Sequence, residues 1–139
     1  MAEVLARNAL LERGWDHVTV KSAGTSAYLG GGASGGALRA AAANGLDLAA
    51  HMSQPLSVDL VEWADLVLTM SPAHLDQVSD QGGAEKATLL GVFEPDVQDG
   101  VVPSIPDPFG GSDEQYLLTY ERLASLVDEM LTRLPEIRP

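Results

Sequence analysis

The sequence of 139 residues contains no cysteine, so disulfide bonds, thiolate metal ligands and a cysteine nucleophile are absent from these residues. Basic residues are also scarce, because 8 Lys and Arg stand against 20 Asp and Glu, for a formal net charge of −12. Since phosphate-rich surfaces repel so acidic a protein, we expect neither nucleic acid nor a membrane surface as a partner. We also expect no cofactor and no metal.

Long apolar runs are absent as well. No segment approaches the ~20 apolar residues of a membrane-spanning helix, and the first residues lack the basic and apolar regions of a secretory signal. We therefore expect a cytoplasmic protein. With 45% hydrophobic and 20% charged residues, the composition is typical of a globular protein. A chain of this length is most simply a single domain, residues 1–139.

Short apolar runs alternate with segments of helical periodicity along the chain. We predict strands at residues 18–20, 65–70 and 88–93. We predict helices at residues 2–13, 35–44 and 57–63, from Ser71 onward, and from Ser112 to the last apolar residue of its pattern, Leu134. Strands that alternate with helices predict an α/β fold, a three-layer sandwich with a mostly parallel sheet.

An aspartate, Asp107, stands between two prolines directly before the last predicted helix. Each proline fixes its own φ and restricts the residue before it, so the carboxylate is presented by a stiff loop. A general acid needs a fixed position of this kind. Ser112 and Gln115 then form a capping box that starts the helix. Because aspartate beside proline is also common in ordinary turns, this pattern alone leaves both interpretations of Asp107 open.

Five segments occur in an order and at a spacing that resemble the low-molecular-weight protein phosphatases: Met1-Ala2-Glu3, Ser22-Ala23-Gly24-Thr25, His51 before Gln54, residues 64–70 and residues 107–111. The resemblance covers essentially the whole chain. It implies a phosphorylated protein as substrate and hydrolysis of phosphotyrosine or phosphoarginine through a phosphocysteine intermediate. It also implies that Asp107 is the general acid and base and that Phe109 lines the substrate pocket. Phe109 followed by two glycines resembles the bacterial members that act on phosphoarginine.

The resemblance also implies that a part of the family pattern is missing. In this family a Cys-x5-Arg loop follows the first strand, binds the phosphoryl group and commonly continues as Arg-Ser-Pro-Met-Ala-Glu. The present sequence starts at Met1-Ala2-Glu3. We therefore expect a truncation before Met1, from a misassigned start or a shortened gene, that removes the central strand, the nucleophile and the phosphate-binding loop. Glu3, Ser22 and His51 match positions that hold this loop by hydrogen bonds. The chain as given is expected to be inactive.

Three other functions remain open at this stage. A non-catalytic interaction protein, a pseudophosphatase, could pair with itself through the sheet edges that a missing strand leaves open. Arsenate reduction is associated with the fold that the resemblance implies, but it needs more cysteines than a phosphatase. Gly30, Gly32 and Gly35 fit the nucleotide-binding pattern G-x-G-x-x-G, yet no strand directly precedes them and no acid follows about twenty residues later, which favours a simple loop.

Overall fold

A computed structural model of the chain describes residues 1–24, 30–94 and 102–133. Its elements run in the order α1 (Ala2–Arg13), α2 (Gly35–Ala43), α3 (Val58–Trp63), β1 (Val67–Thr69), α4 (Pro72–Val78), β2 (Ala87–Leu89) and α5 (Asp113–Arg133). A π-type turn, Ser79–Gly83, follows α4, and a 3-10 helix, Leu90–Phe93, follows β2. None of the helices in the described ranges is long and apolar enough to cross a bilayer.

The sheet of the described residues consists of β1 and β2, which pair in parallel with Leu68 opposite Thr88. The crossover between them contains α4, which packs on both strands. The predicted strand at residues 88–93 is wrong in its extent, because β2 ends at Leu89. Leu90 and Phe93 are both buried, and a three-residue spacing places side chains on one face of a 3-10 helix but on opposite faces of a strand.

The predicted strand at residues 18–20 is also wrong, because Val18–Val20 pairs with no strand in the part of the chain that the structure describes. Its side chains do alternate: Val18 and Val20 lie half-buried against the core, and Thr19 is exposed. A strand also needs a partner backbone, and the nearest described pairing is a single parallel bridge between Gly24 and Pro55. The β1–β2 pair confirms the predicted parallel direction of the sheet, while the three-layer arrangement stays a prediction.

Local sequence signals place the helix ends close to where they were predicted. Gly14 ends α1 in the left-handed conformation, with φ 69°. Ser57 and Ser71 cap α3 and α4, each accepting a hydrogen bond from the backbone N–H three residues later. Ser34 caps α2 in the same way, and that helix ends at Ala43, one residue earlier than predicted.

The main core forms where α5 packs against α1 and α2. The predicted spacing of three and four residues is confirmed by the buried α5 side chains of Tyr116, Tyr120, Leu123, Val127 and Met130, and Leu126 and Leu131 are buried as well. Leu134, the end of the predicted pattern, lies outside the described residues. At the contact with α2 the helices approach closely, since a Cβ on Gly36 would lie 2.3 Å from the ring of Tyr116.

Candidate functional site

The loop that carries Asp107 is attached to the carboxyl end of β1. The backbone N–H of Ile105 donates a hydrogen bond of 2.8 Å to the carbonyl of Met70, the residue that follows β1. The Ile105 side chain is buried, so this attachment is part of the core. In open α/β folds, ligands bind outside the carboxyl ends of the strands. Asp107, two residues further along the chain, therefore lies at the edge of the sheet where a site is expected.

Hydrogen bonds within the loop hold the Asp107 carboxylate. Its Oδ1 atom accepts a bond of 3.0 Å from the N–H of Phe109, which is an Asx turn. The N–H of Gly111 donates to the carbonyl of Pro108 at 2.7 Å, and Gly110 between them has φ 81°. The Asp107 side chain itself is exposed. A solvent-accessible carboxylate in a closed turn is suited to proton transfer with a bound substrate.

An open cleft of about 410 Å³ lies beside Asp107, and its walls are residues 106–111 and Gln115. The Phe109 side chain is 79% exposed, so its ring is available to a ligand in the cleft. The predicted capping box is confirmed: Ser112 N–H donates to Gln115 Oε1 at 2.9 Å, and Gln115 N–H donates to Ser112 Oγ at 3.2 Å. This reciprocal pair fastens the loop to the first turn of α5.

A second polar group, here called the Glu3 cluster, consists of Glu3, Arg7, Ser22 and His51. Ser22 Oγ donates to Glu3 Oε1 at 3.2 Å, while Glu3 Oε2 lies 3.4 Å from His51 Nδ1 and 3.6 Å from Arg7. The Glu3 side chain is only 16% exposed and that of His51 22%. The backbone of Ser22 is fixed as well, because its carbonyl accepts from Gln54 Nε2 at 2.9 Å. The three residues that the resemblance singles out therefore meet in space.

The structure does not bring Asp107 and the Glu3 cluster into direct contact. Within residues 1–24, 30–94 and 102–133, no hydrogen bond or ion pair joins Asp107 to Glu3, Ser22 or His51.

Sequence reasoning missed Arg7 as a member of the cluster, although its spacing of four residues from Glu3 on a predicted helix is the signal for such a pair.

Arg39 is the other charged residue that the sequence did not single out near the loop. It binds Asp113, in the first turn of α5, with bonds of 3.0 Å from Nε and 2.8 Å from Nη2. This hydrogen-bonded carboxylate and its charge raise the pKa of the Arg39 guanidinium above its ordinary value. The pair joins α2 to the start of α5, and its partners lie too far apart in the sequence for a local pattern to reveal it.

The glycine-rich segment before α2 has other partners than a phosphate. Gly30 N–H donates to the carbonyl of Ser53 at 2.8 Å, and Gly31 N–H donates to Ser53 Oγ at 3.1 Å. These two donors are therefore engaged, which favours the simple loop over a nucleotide-binding site. In the described part of the chain, no group of three or more His, Asp or Glu side chains is placed to hold a metal ion.

Comparison with known proteins relates this geometry to one family. The sequence model of the low molecular weight phosphotyrosine protein phosphatases matches residues 1–138. A protein-arginine-phosphatase of Bacillus subtilis is 33% identical over 138 residues, which are 99% of this chain and 89% of the relative. The low molecular weight protein-tyrosine-phosphatase Wzb of Escherichia coli K12 is 31% identical over 116 residues, 82% of this chain and 75% of the relative.

Solved structures of the same kind superpose closely on the chain. The YwlE arginine phosphatase with a phosphorylated active-site serine matches with a TM-score of 0.85 and 31% identity, over 99% of this chain and 90% of that one. A low molecular weight protein tyrosine phosphatase from T. tengcongensis also has a TM-score of 0.85, with 29% identity over 96% of this chain and 88% of that one. The overall arrangement of helices and sheet is therefore shared with these enzymes.

The comparisons do not confirm the expected truncation, the missing strand or the expected inactivity. The family match runs over residues 1–138, and the Bacillus subtilis relative aligns with 99% of the chain. Substrates named for the relatives include both phosphoarginine and phosphotyrosine proteins. Since the match extends along nearly the whole chain and is supported by both sequence and structure, this chain belongs to the low-molecular-weight protein phosphatase family.

Proposed function

We propose that the active form of this protein, in which a Cys-x5-Arg segment completes residues 1–139, is a single-domain cytoplasmic protein phosphatase that removes phosphate from arginine or tyrosine side chains of proteins. The observation that carries the proposal is the position of Asp107, an exposed carboxylate held by its own turn at the carboxyl end of β1. Phe109 on the same loop, with its ring largely exposed, supports a role in binding the substrate side chain.

In the proposed reaction Asp107 acts twice. When a nucleophile attacks phosphorus, the bond from phosphorus to the leaving atom breaks, and the Asp107 carboxyl donates a proton to that atom. In the second step the Asp107 carboxylate takes a proton from water, which attacks the phosphorylated enzyme and releases inorganic phosphate. The nucleophile of this route is a thiolate, and residues 1–139 contain no cysteine. These residues by themselves supply the acid and the pocket wall but not the nucleophile.

We assign to the Glu3 cluster the role of supporting a phosphate-binding loop. In the active form we place a Cys-x5-Arg segment against Glu3, Ser22 and His51, where hydrogen bonds fix its conformation. Supporting this assignment, the three side chains are already ordered by one another: Glu3 accepts from Ser22 and lies 3.4 Å from His51. A preformed polar cluster of this kind costs little further ordering when it binds a loop.

Phosphoarginine is the favoured substrate, with phosphotyrosine as the alternative. An exposed aromatic ring next to a carboxylate suits a guanidino group, which stacks on aromatic faces and hydrogen-bonds to carboxylates. Phe109 and Asp107 present this combination, and the two glycines that follow leave the cleft open. The protein-arginine-phosphatase relative at 33% identity supports the same choice.

The test compares residues 1–139 with a fusion in which a strand and a Cys-x5-Arg loop precede Glu3. Phosphate release is measured from matched phosphoarginine and phosphotyrosine peptides. We expect release by the fusion and none by residues 1–139, and a loss of about 10²–10⁴ in kcat for Asp107→Asn in the fusion. A folded fusion with unchanged turnover after Asp107→Asn removes Asp107 from its role. In-frame translation upstream of Met1 adds a direct check, since a stop codon there contradicts a loop supplied by the same chain.

One observation favours a second function, a non-catalytic protein that pairs through open strand edges. Within the described residues β1 pairs on one side only, and Val18–Val20 has no strand partner. Such edges are templates for another chain. The net charge of −12 works against pairing with a second copy. Size-exclusion chromatography with light scattering decides this question, because a stable monomer at high concentration contradicts self-association.

A further inference from the structure

Gln115 is a wall of the Asp107 cleft that the proposed reaction does not use. Its side-chain amide carries an acceptor oxygen and a donor NH2 group at opposite ends. The acceptor is occupied, because Oε1 receives the N–H of Ser112 at 2.9 Å. The donor Nε2 has no hydrogen-bond partner among residues 1–24, 30–94 and 102–133. One end of the amide is thus bound to the protein, and the other is free.

The capping box decides which end is free. An amide nitrogen and oxygen look alike in shape, so their assignment rests on the hydrogen-bond partners. Here the partner of the bound end is a backbone N–H, which can only donate, so the bound atom must be the oxygen. The NH2 group therefore points away from the cap. Gln115 is exposed and borders the cleft beside Asp107, so its NH2 can donate to a ligand that binds there.

Gly111 makes room for this arrangement. A Cβ at this position would lie 2.2 Å from Gln115 Oε1 and 2.8 Å from the carbonyl of Pro108. Both distances are far shorter than a van der Waals contact, so any larger residue would displace the Gln115 side chain or open the turn. The glycine of the Asp107 loop and the glutamine of α5 thus form one unit that holds the amide at the cleft.

We infer that Gln115 Nε2 binds a main-chain carbonyl oxygen of the substrate protein, next to its phosphorylated residue. This inference rests on the proposed function, in which the Cys-x5-Arg loop that the Glu3 cluster supports holds the phosphoryl group and Asp107 reaches the leaving atom. The cleft beside Asp107 then receives the polypeptide that carries the phosphorylated side chain. A neutral NH2 suits a carbonyl acceptor, and it adds no charge to a cleft whose walls contain one carboxylate and no cation. Gln115 thereby selects phosphorylated polypeptides over small phosphate esters.

The experiment follows the side-chain NH2 resonances of Gln115 by NMR in the ¹⁵N-labelled fusion that carries the Cys-x5-Arg loop, with the loop cysteine replaced by serine so that the peptide is not hydrolysed. One probe is a blocked pentapeptide with a central phosphoarginine, and the other is phenyl phosphate, which has no carbonyl. We expect the peptide to shift the Gln115 NH2 signals together with the backbone amides of Phe109 and Gly110. Phenyl phosphate leaves the Gln115 NH2 signals in place.

Two variants separate the donor from the cap. Gln115→Glu keeps an acceptor for Ser112 N–H, as glutamate does in ordinary capping boxes, but removes the NH2 group. We expect it to weaken peptide binding at least about five- to tenfold, through the lost hydrogen bond and through the negative charge that glutamate adds beside Asp107. Ser112→Ala removes the hydroxyl of the cap and keeps the donor, so its peptide Kd stays within about twofold of the wild-type value while its Tm falls.

The outcomes distinguish this inference from the function on which it rests. The role of Gln115 is overturned, and the proposed function stands, if the peptide shifts the Phe109 and Gly110 amides but not the Gln115 NH2. A wild-type peptide Kd for Gln115→Glu has the same consequence. Absence of any peptide-induced shift in the cleft overturns both.

Discussion

Replacement of Gly36 by alanine tests the closest helix contact in the core. Gly36 lies in the first turn of α2, where alanine normally stabilises a helix by up to about 1 kcal/mol relative to glycine. Helix propensity alone thus predicts a more stable protein. The structure predicts the opposite, because the new Cβ would lie 2.3, 2.4 and 2.7 Å from three atoms of the Tyr116 ring.

The expected cost follows from what the Tyr116 ring must do. It is 5% exposed, and it has to move by about 1 Å to reach an ordinary contact distance of ~3.5 Å. Overpacking of this kind costs about 1–3 kcal/mol. The same movement strains the bond of 3.2 Å from Ser34 Oγ to the Tyr116 hydroxyl, worth about 1 kcal/mol. Set against the helix gain, Gly36→Ala should destabilise the protein by about 1–3 kcal/mol.

Gly35→Ala is the matched control one residue earlier in the same helix. Its Cβ would meet only the end of the Arg39 side chain, at 3.0 Å, which can move aside. We expect Gly35→Ala to be neutral or to stabilise by up to about 1 kcal/mol. Urea unfolding followed by circular dichroism measures both variants, and thermal unfolding should show a Tm lower by roughly 5–10 °C for Gly36→Ala alone.

A double variant shows whether the ring is the cause. If Tyr116 is responsible, Gly36→Ala combined with Tyr116→Leu should be more stable than the sum of the single effects by about 1–2 kcal/mol. The reasoning is refuted if Gly36→Ala is as stable as the wild type, or if the two substitutions are simply additive.

Three further predictions concern the loop attachment, the Glu3 cluster and alkaline pH. Gly91→Ala should lower the free energy of unfolding, measured in urea, by at least about 3 kcal/mol. Its Cβ would lie 2.0 Å from the carbonyl oxygen of Pro103, which as a backbone atom cannot simply rotate away. A smaller loss would contradict this reasoning. Glu3→Ala should lower the free energy of unfolding by about 1–3 kcal/mol, because it removes the bonds to Ser22 and His51. Glu12→Ala, on the exposed face of α1, is the control and should change this free energy by no more than ~0.5 kcal/mol. Equal effects of the two substitutions would show that the Glu3 cluster does not stabilise the fold. Burial raises the pKa of the Tyr120 hydroxyl above its ordinary value of 10.0. The stabilisation that comes from this shift is fully present below the unfolded-state pKa and is lost as pH rises through the folded-state pKa. In a pH series of urea midpoints, Tyr120→Phe should therefore lose less stability at alkaline pH than the wild type.

Those parts of the site that form from residues close together in the sequence were predictable. Two prolines around Asp107 and the Ser112–Gln115 box are local patterns, and the structure shows the turn and the cap that they predict. The Glu3 cluster could be named through the family resemblance, but its contacts come from three distant segments. Arg7 and the free end of the Gln115 amide were not foreseen, because both depend on which neighbour a side chain meets after folding.

The sequence by itself determined the elements whose signals are local. Capping serines, the glycine after α1 and the apolar stripe of α5 act through hydrogen bonds and side-chain spacing within a few residues, so they operate before the chain has folded. Tertiary structure alone decided whether an extended segment becomes a strand. Val18–Val20 and Val67–Thr69 are both rich in β-branched residues, yet only the second segment is a strand among the described residues, because it has β2 beside it. Strand pairing is a contact between distant residues, and no local pattern can supply the partner.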